Sequence, residues 1–274
     1  AGNISNLRVS NIARYTSAFT TPTSNLSIDS NTTLYLFNED KSYDDLSSSG
    51  LTFTNTSGVE TVNFGPFDAA EAGEGGMTWI KSRTSANTAY IYDTERGATT
   101  SVTPSDNFAQ ESSGTTLTAF NSNGFSLGSA NKVNGSANNY ASWTFRKAPK
   151  FFDVVQWDGN GVAGRQIAHN LESVPGMIIV KLLNVISRDW RVYHRKAHAT
   201  SPEDYYLTLN NTTAAFDESS EAEKVWNSTA PTDTHFTVGN DSTVNGNYNN
   251  LGWKYVAYLF AHNDSGDGEF GPDG

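Results

Sequence analysis

The chain has 274 residues, of which 36% are apolar, 17% are charged and none is Cys. Its net charge of −11 argues against a nucleic-acid binder and against binding to an anionic membrane, because both depend on clustered Lys and Arg. The lack of Cys excludes disulfides, thiolate catalysis and Cys-based zinc sites. No apolar run approaches the roughly 20 residues that cross a bilayer, so we expect no membrane insertion.

The first 50 residues contain two short strand patterns, at 6–9 and 34–37, on either side of a segment rich in Ser, Thr and Pro. Two isolated strands bury too little apolar surface to be stable alone. We therefore expect 1–50 to be the closing strands of a preceding domain or a segment that docks on the next one.

Residues 51–150 and 151–264 resemble each other, which predicts a duplicated domain. Five blocks align in the same order, and both Met residues of the chain occupy the same place in the first block. The aligned blocks are 75–81 with 175–181, 90–92 with 191–193, 124–128 with 235–239, 133–135 with 244–246, and 140–145 with 255–260. The offset grows along the chain, so the second repeat carries insertions around 217–226 and 247–250, which we expect in surface loops. Each repeat is long enough to bury its own core.

Within the repeats, apolar residues alternate or form short runs of β-branched and aromatic residues, which predicts strands. The clearest are at 177–182, 190–193, 205–209 and 254–260. Asn-Gly and Asp-Gly pairs, which readily form tight turns, separate such segments. The pattern predicts an all-β protein of tandem antiparallel β-sandwich or jelly-roll units, with a turn or two of helix only at 217–226.

The segments at 4–9 and 13–20 resemble the closing strands of laminin-G-like, concanavalin-type jelly rolls in bacteriophage tail proteins. The second repeat resembles a repeat of large tail-fibre proteins of cyanophages. The segments that carry this likeness are 174–181, 190–194 and 227–232. The ending at 261–273 is similar to the junction where such proteins begin a further copy, so we interpret 265–274 as a linker.

This resemblance implies a virion-associated fibre or appendage protein that acts outside the cell. Such proteins are usually homo-oligomers, often trimers, and contact other tail proteins of the virion. Because the chain begins at Ala1 without Met, we expect a processed chain or a piece of a longer protein.

Two groups of residues have the chemistry of metal ligands. His194 and His198 have the spacing of zinc ligands on a helix, but they follow a predicted strand and enclose two cations, so we expect an ordinary polar loop. Asp264, Asp267 and Glu269 alternate with Gly in the manner of calcium ligands. The complete loop with a terminal bidentate Glu is absent, so the alternative is a solvated linker, and we expect no other cofactor.

No nucleophile elbow or phosphate-binding loop is recognisable in the sequence. The adjacent acidic pairs at 44–45 and 217–218 point to opposite faces of an extended chain, so neither is a converging pair of catalytic carboxylates. We therefore expect binding without catalysis.

Aromatic residues in the second repeat suggest a surface for sugars. They are Trp157, Trp190, Trp226, Trp253, Tyr205, Tyr206 and Tyr248. Flat rings beside polar side chains bind sugars by stacking and hydrogen bonding, but such rings also fill the cores of sandwiches. Trp226 and Tyr248 belong to the insertions, where binding residues commonly lie, so they are the predicted contacts with a host surface glycan.

The predicted function is a structural and host-attachment component of a phage tail fibre or similar virion appendage. Two alternatives use the same repeat. One is a secreted adhesin or carbohydrate-binding module, and the other is an accessory domain of a polysaccharide-degrading enzyme.

Overall fold

A computed structural model describes residues 7–14, 26–36, 47, 75–121, 124–246 and 252–262. The chain divides into two compact units, one of residues 1–71 with 273–274 and one of residues 72–272. No helix in the described ranges is both long and apolar enough to cross a membrane.

The described part of the first unit is an antiparallel pair of strands, β1 (Leu7–Ser10) and β2 (Thr32–Leu36), as the two strand patterns predicted. Arg14, which follows β1, donates a hydrogen bond from Nη1 to Oδ2 of Asp29, which precedes β2, at 2.8 Å. This hydrogen bond keeps the pKa of Asp29 well below its ordinary value.

The second unit consists mainly of antiparallel strands. Seven lie in the described part of the first repeat: β3 (Gly76–Ser82), β4 (Tyr90–Asp93), β5 (Thr100–Val102), β6 (Glu111–Ser112), β7 (Leu117–Asn121), β8 (Gly124–Leu127) and β9 (Tyr140–Arg146). Eight lie in the described part of the second: β10 (Phe152–Asp158), β11 (Arg165–Ala168), β12 (Met177–Leu182), β13 (Arg191–His194), β14 (Tyr205–Thr208), β15 (Phe216–Asp217), β16 (His235–Val238) and β17 (Lys254–Phe260). Single helical turns are α1 (Asn131–Asn134), α2 (Ser242–Asn245) and a 3₁₀ turn at Pro202–Asp204. The chain is therefore all-β, as predicted.

The two main sheets have the same strand order. The first sheet runs β6-β5-β4-β3-β9, and the second runs β15-β14-β13-β12-β17-β10. Residues aligned between the repeats occupy the same positions, since Met77 lies opposite Phe145 as Met177 lies opposite Phe260. The second sheet differs by the additional strand β10 beyond β17.

Equivalent hydrogen bonds follow the two helical turns. The N–H of Gly135 donates to the hydroxyl of Tyr140 at 2.7 Å, and the N–H of Gly246 donates to the hydroxyl of Tyr255 at 2.7 Å. A Cβ at Gly246 would lie 2.5 Å from the ring of Trp253, so only glycine allows this close approach. The same local device thus connects helix and strand in both halves of the unit.

The two sheets share a central apolar cluster. Its buried members are Met77, Ile91, Val102, Phe152, Val154, Ile179, Leu183, Trp190, Val192, Val256 and Tyr258. A second cluster is formed by the other face of the second sheet together with β11 and β16, and a third by the other face of the first sheet together with β7 and β8. Successive strand residues point to opposite sides of a sheet. Because consecutive residues such as Ile178 and Ile179 are both apolar, both faces of the main sheets are apolar. Each half therefore has its own outer cluster and also contributes to the shared one.

The prediction of a helix at 217–226 is wrong. Residues 218–226 form turns and bends, which begin where β15 ends. The buried carboxylate of Glu218 accepts hydrogen bonds from the N–H groups of Val225 and Trp226, at 2.9 and 3.0 Å, and closes the segment into a loop. Bonds from side chain to backbone of this kind compete with helical hydrogen bonds.

Candidate functional site

A group of stacked side chains, partly buried and partly exposed, lies at the β13–β15 edge of the second sheet. We call Arg191, Tyr206 and Phe216 the aromatic platform. The ring centroids of Tyr206 and Phe216 are 5.2 Å apart with 28° between the ring planes, and the guanidinium carbon of Arg191 lies 4.5 Å from the centroid of the Tyr206 ring. Phe216 is 44% exposed, so part of its ring is open to a ligand from solution.

The strand register produces this platform. Tyr206 on β14 and Phe216 on β15 are direct partners, and directly opposed strand residues have side chains close enough to stack. Arg191 lies on the adjacent strand β13, and its Nη1 donates to Oγ1 of Thr208 at 3.5 Å. This contact holds the guanidinium over the Tyr206 ring.

The phenol of Tyr206 is a neutral hydroxyl at ordinary pH. Burial raises the pKa of Tyr206, and the carboxylates of Asp241, Glu218 and Glu221 act in the same direction, while the charge of Arg191 opposes them. The platform therefore combines apolar ring faces, one neutral hydroxyl and one cation within a small area.

The corresponding position of the first sheet is polar. Ser101 on β5 and Glu111 on β6 are direct partners there, as Tyr206 and Phe216 are on β14 and β15. The first sheet has the same strand order without an aromatic pair at this place. Since the first sheet forms without aromatic rings at this position, the fold does not require Tyr206 and Phe216. A role other than folding, such as ligand binding, explains these two rings better.

A second aromatic contact lies on the opposite face of the same edge. The ring of His198 stacks on Tyr205, with centroids 4.6 Å apart and 13° between the planes. The hydroxyl of Tyr205 donates to Oδ2 of Asp217 at 3.0 Å, and this hydrogen bond raises the pKa of Tyr205. The edge thus presents an aromatic surface on both sides.

The prediction that Trp226 contacts a glycan needs correction. Trp226 is 2% exposed and packs edge-on against Tyr193 in the outer cluster, with ring centroids 5.9 Å apart. A ring without an open face cannot stack on a sugar, so Trp226 is a core residue. The other predicted contact, Tyr248, lies outside the described residues.

Two further rings of the aromatic group also belong to the core. Trp157 is 7% exposed, and its indole N–H donates to the carbonyl of Val244 at 3.0 Å. Trp190 is fully buried, and its indole N–H lies 3.1 Å from the carbonyl oxygens of Thr103 and Asp106. Sequence reasoning named Tyr206 but missed Phe216, although this residue directly precedes the 217–226 insertion.

The candidate metal ligands do not form a site in the described part of the chain. Nδ1 of His194 accepts the N–H of Lys196 at 3.1 Å, and Nδ1 of His198 accepts the N–H of Ser201 at 3.2 Å. No group of three His, Asp or Glu side chains among the described residues could hold a metal ion. The calcium candidates lie outside the described residues: Asp264, Asp267 and Glu269.

A family model described as Domain of unknown function (DUF7483) matches residues 69–271. The matched range nearly coincides with the compact unit at 72–272 and includes both main sheets and the aromatic platform. No curated protein and no solved structure matches the chain.

Proposed function

The chain belongs to the DUF7483 family, a domain of unknown function. We propose that it is a structural and host-attachment component of a phage tail fibre or similar virion appendage, and that it binds glycans without catalysis. The observation that supports binding is the aromatic platform, in which the exposed Phe216 ring stacks beside the partly buried Tyr206 and Arg191. The virion setting rests on the resemblance of the chain's segments to tail-fibre repeats.

The platform suits a sugar ring for physical reasons. The C–H face of a pyranose is apolar and packs on an open aromatic ring such as Phe216, while its hydroxyl groups accept hydrogen bonds from a guanidinium such as Arg191. Aromatic and Arg side chains contribute most of the binding energy in many recognition surfaces. A glycan would therefore gain both stacking and directional polar contacts at one place.

The packing beneath the platform supports a role in presenting a binding site to a ligand. Tyr206 packs partly against the buried cluster beneath it, and that cluster includes Tyr193, Val180 and Leu182. Side chains held in this way lose little conformational entropy when a ligand binds. A surface of this kind fits a protein that must hold a binding site steady while it spaces other parts of an appendage.

A secreted adhesin or a carbohydrate-binding module would use the same platform in the same way. Gene context separates these settings from the virion. Neighbouring tail genes favour the appendage, a signal peptide favours the adhesin, and an attached catalytic domain favours the accessory module.

Binding is tested by applying the intact chain to an array of bacterial surface polysaccharides and oligosaccharides. We expect Phe216→Ala and Tyr206→Ala to lose about tenfold or more in affinity for the glycans that bind, because each removes a stacking ring. Phe108→Ala is the matched control, since Phe108 is 62% exposed and lies outside the platform. No binding by the wild-type chain, or equal binding by Phe216→Ala, would overturn the proposal.

A further inference from the structure

Arg191 of the aromatic platform has no carboxylate partner among the described residues. Its guanidinium makes one hydrogen bond to them, from Nη1 to Oγ1 of Thr208 at 3.5 Å, and its Nε is buried without any. Salt bridges between described residues involve other cations, and none includes Arg191. The guanidinium, which has five N–H donors, therefore keeps hydrogen-bonding capacity for a ligand.

A cation also lies over a Tyr ring at the β4–β6 edge of the first sheet, but there it is paired. Nζ of Lys132 lies 4.7 Å from the centroid of the Tyr90 ring. The same ammonium group forms a salt bridge with the carboxylate of Glu111 on β6. Both sheets thus place a cation over a Tyr ring at this edge. Among the described residues, only the first sheet supplies a carboxylate to that cation.

Phe216 occupies the position of that carboxylate on the second sheet. Glu111 pairs with Ser101 in the register in which Phe216 pairs with Tyr206. The second sheet therefore has an exposed apolar ring where the first has an anion, and it keeps a cation beside the ring. A ligand that complements both groups has an apolar face and a negative charge of its own.

We propose that the aromatic platform binds an acidic glycan, with the carboxylate of a uronic acid unit on Arg191 and the C–H face of the sugar on Phe216. This ligand assignment rests on the proposed function and narrows its ligand to one class. A guanidinium presents its N–H groups in a planar fork that matches the two oxygens of a carboxylate, and such charge-assisted hydrogen bonds are about twice as strong as neutral ones. The ligand thereby supplies the carboxylate that Glu111 supplies to Lys132 in the first sheet.

The charges around the platform restrict where the anion binds. Besides burial, the carboxylates of Asp241, Glu218 and Glu221 raise the pKa of Tyr206, so an anion beside this hydroxyl would be repelled. The charge of Arg191 acts in the opposite direction, so the guanidinium is the favourable place for the anion. The net charge of −11 opposes the approach of an acidic polymer, but salt screens this repulsion beyond about 8 Å.

Chemical reduction of the ligand's carboxylates tests the role of its charge. The probes are oligosaccharides of alginate, polygalacturonate and hyaluronate, each compared with a derivative whose carboxylates have been reduced to primary alcohols. We expect the intact chain to bind at least one acidic probe, and to bind it about tenfold or more tightly than its reduced derivative. Binding to neutral or sulfated glycans only, or equal affinity for the two forms, would overturn the acidic ligand and leave the glycan proposal standing. Binding to no glycan would overturn both.

Substitutions of Arg191 separate the effect of charge from that of stacking. Arg191→Gln should lose about tenfold or more in affinity for the acidic probe and less than about twofold for its reduced derivative. Arg191→Lys keeps the charge without the planar fork, so its affinity for the acidic probe should lie between those of Arg191→Gln and the wild type. Phe216→Ala should lose affinity for both forms, because stacking does not depend on the carboxylate.

Lys132→Gln is the matched control, since it removes the cation over the Tyr ring of the first sheet, and it should bind both forms as the wild type does. An Arg191→Gln variant that keeps the wild-type affinity for the acidic probe would overturn the proposal. An equal loss for the acidic and the reduced forms would also overturn it, because Arg191 would then act without reading the charge.

Discussion

The hydroxyl of Tyr258 donates a hydrogen bond to Oδ2 of Asp93 at 2.7 Å and so connects the second sheet to the first. Nε of Arg96 donates to the same carboxylate oxygen at 2.6 Å, and Nη2 of Arg96 donates to the Tyr258 hydroxyl at 3.1 Å. All three side chains are buried. Burial raises the pKa of Tyr258 well above its ordinary value, so the hydroxyl stays a donor. The network helps to fix the relative position of the sheets, because a shift would break the hydrogen bonds that the buried Tyr258 hydroxyl makes to Asp93 and Arg96.

Replacing Tyr258 by Phe should lower the free energy of unfolding by about 1–3 kcal/mol, since Asp93 loses one donor in a buried place. Tyr205→Phe is the matched control, because the Tyr205 hydroxyl also donates to a carboxylate, that of the exposed Asp217. That change should cost less than about 0.5 kcal/mol. Urea denaturation measures both, and equal effects would contradict a structural role for the buried network.

Because the neutral ring of His169 is buried, the protein should lose stability in mild acid. The side chain is 6% exposed, and its Nδ1 accepts the N–H of Leu171 at 3.2 Å. Nε2 lies 3.2 Å from the carbonyl oxygen of Thr232 and therefore carries the proton. A second proton on the ring would remove the acceptor for Leu171.

Burial lowers the pKa of His169, an effect that nearby His235 adds to and that Asp153 and Asp233 oppose. The unfolded chain then binds the proton more readily than the folded one. The stabilisation is complete above the unfolded pKa of about 6.5 and is lost as the pH falls through the lower folded pKa. Unfolding free energies measured between neutral pH and mild acid should decline less in His169→Gln than in the wild type. Identical pH profiles would exclude His169 as the cause.

Glu218 should stabilise the loop that follows β15. Glu218→Ala leaves two buried N–H groups, those of Val225 and Trp226, without their acceptor, and should cost about 2–3 kcal/mol in unfolding free energy. Glu218→Gln keeps an acceptor oxygen and should cost less. Glu221→Ala, at an exposed carboxylate of the same loop, is the control and should change stability little. A loss in Glu221→Ala as large as that in Glu218→Ala would argue against this role.

Trp226 should affect stability and not glycan affinity. Trp226→Ala opens a cavity in the outer cluster and should cost about 3–5 kcal/mol. Trp226→Phe should cost less, because the indole N–H has no hydrogen-bond partner among the described residues and most of the ring volume remains. The affinity of folded Trp226→Phe for any glycan bound by the wild type should be unchanged. A tenfold loss of glycan affinity in Trp226→Phe would contradict this prediction and indicate that Trp226 belongs to the binding surface.

Strand prediction succeeded where the apolar pattern was strong. The strands predicted at 177–182 and 254–260 have those bounds in the structure, because both faces of the second sheet are buried and every position is constrained. The prediction of a helix at 217–226 failed because the composition of this segment favours a helix only when its backbone N–H groups have no other hydrogen-bond acceptor. Glu218 takes two of them.

The candidate site was only partly predictable. The insertion at 217–226 indicated the correct neighbourhood, but loop position alone does not reveal which way a ring points. Trp226 turns into the outer cluster, while Phe216 faces solvent beside Tyr206. The pairing of Phe216 with Tyr206 depends on the register between β14 and β15, and no sequence pattern specified that register.

The sequence by itself determined that this protein is all-β, because alternation of apolar residues and turn-forming pairs are local properties that each segment carries independently. Only the tertiary structure decided that the two sheets share one core, that Tyr258 meets Asp93 across it, and that Phe216 is exposed while Trp226 is not. These outcomes depend on contacts between residues far apart in the chain. The free energy that stabilises these contacts arises only when the sheets pack, so the preferences of local sequence segments do not predict them.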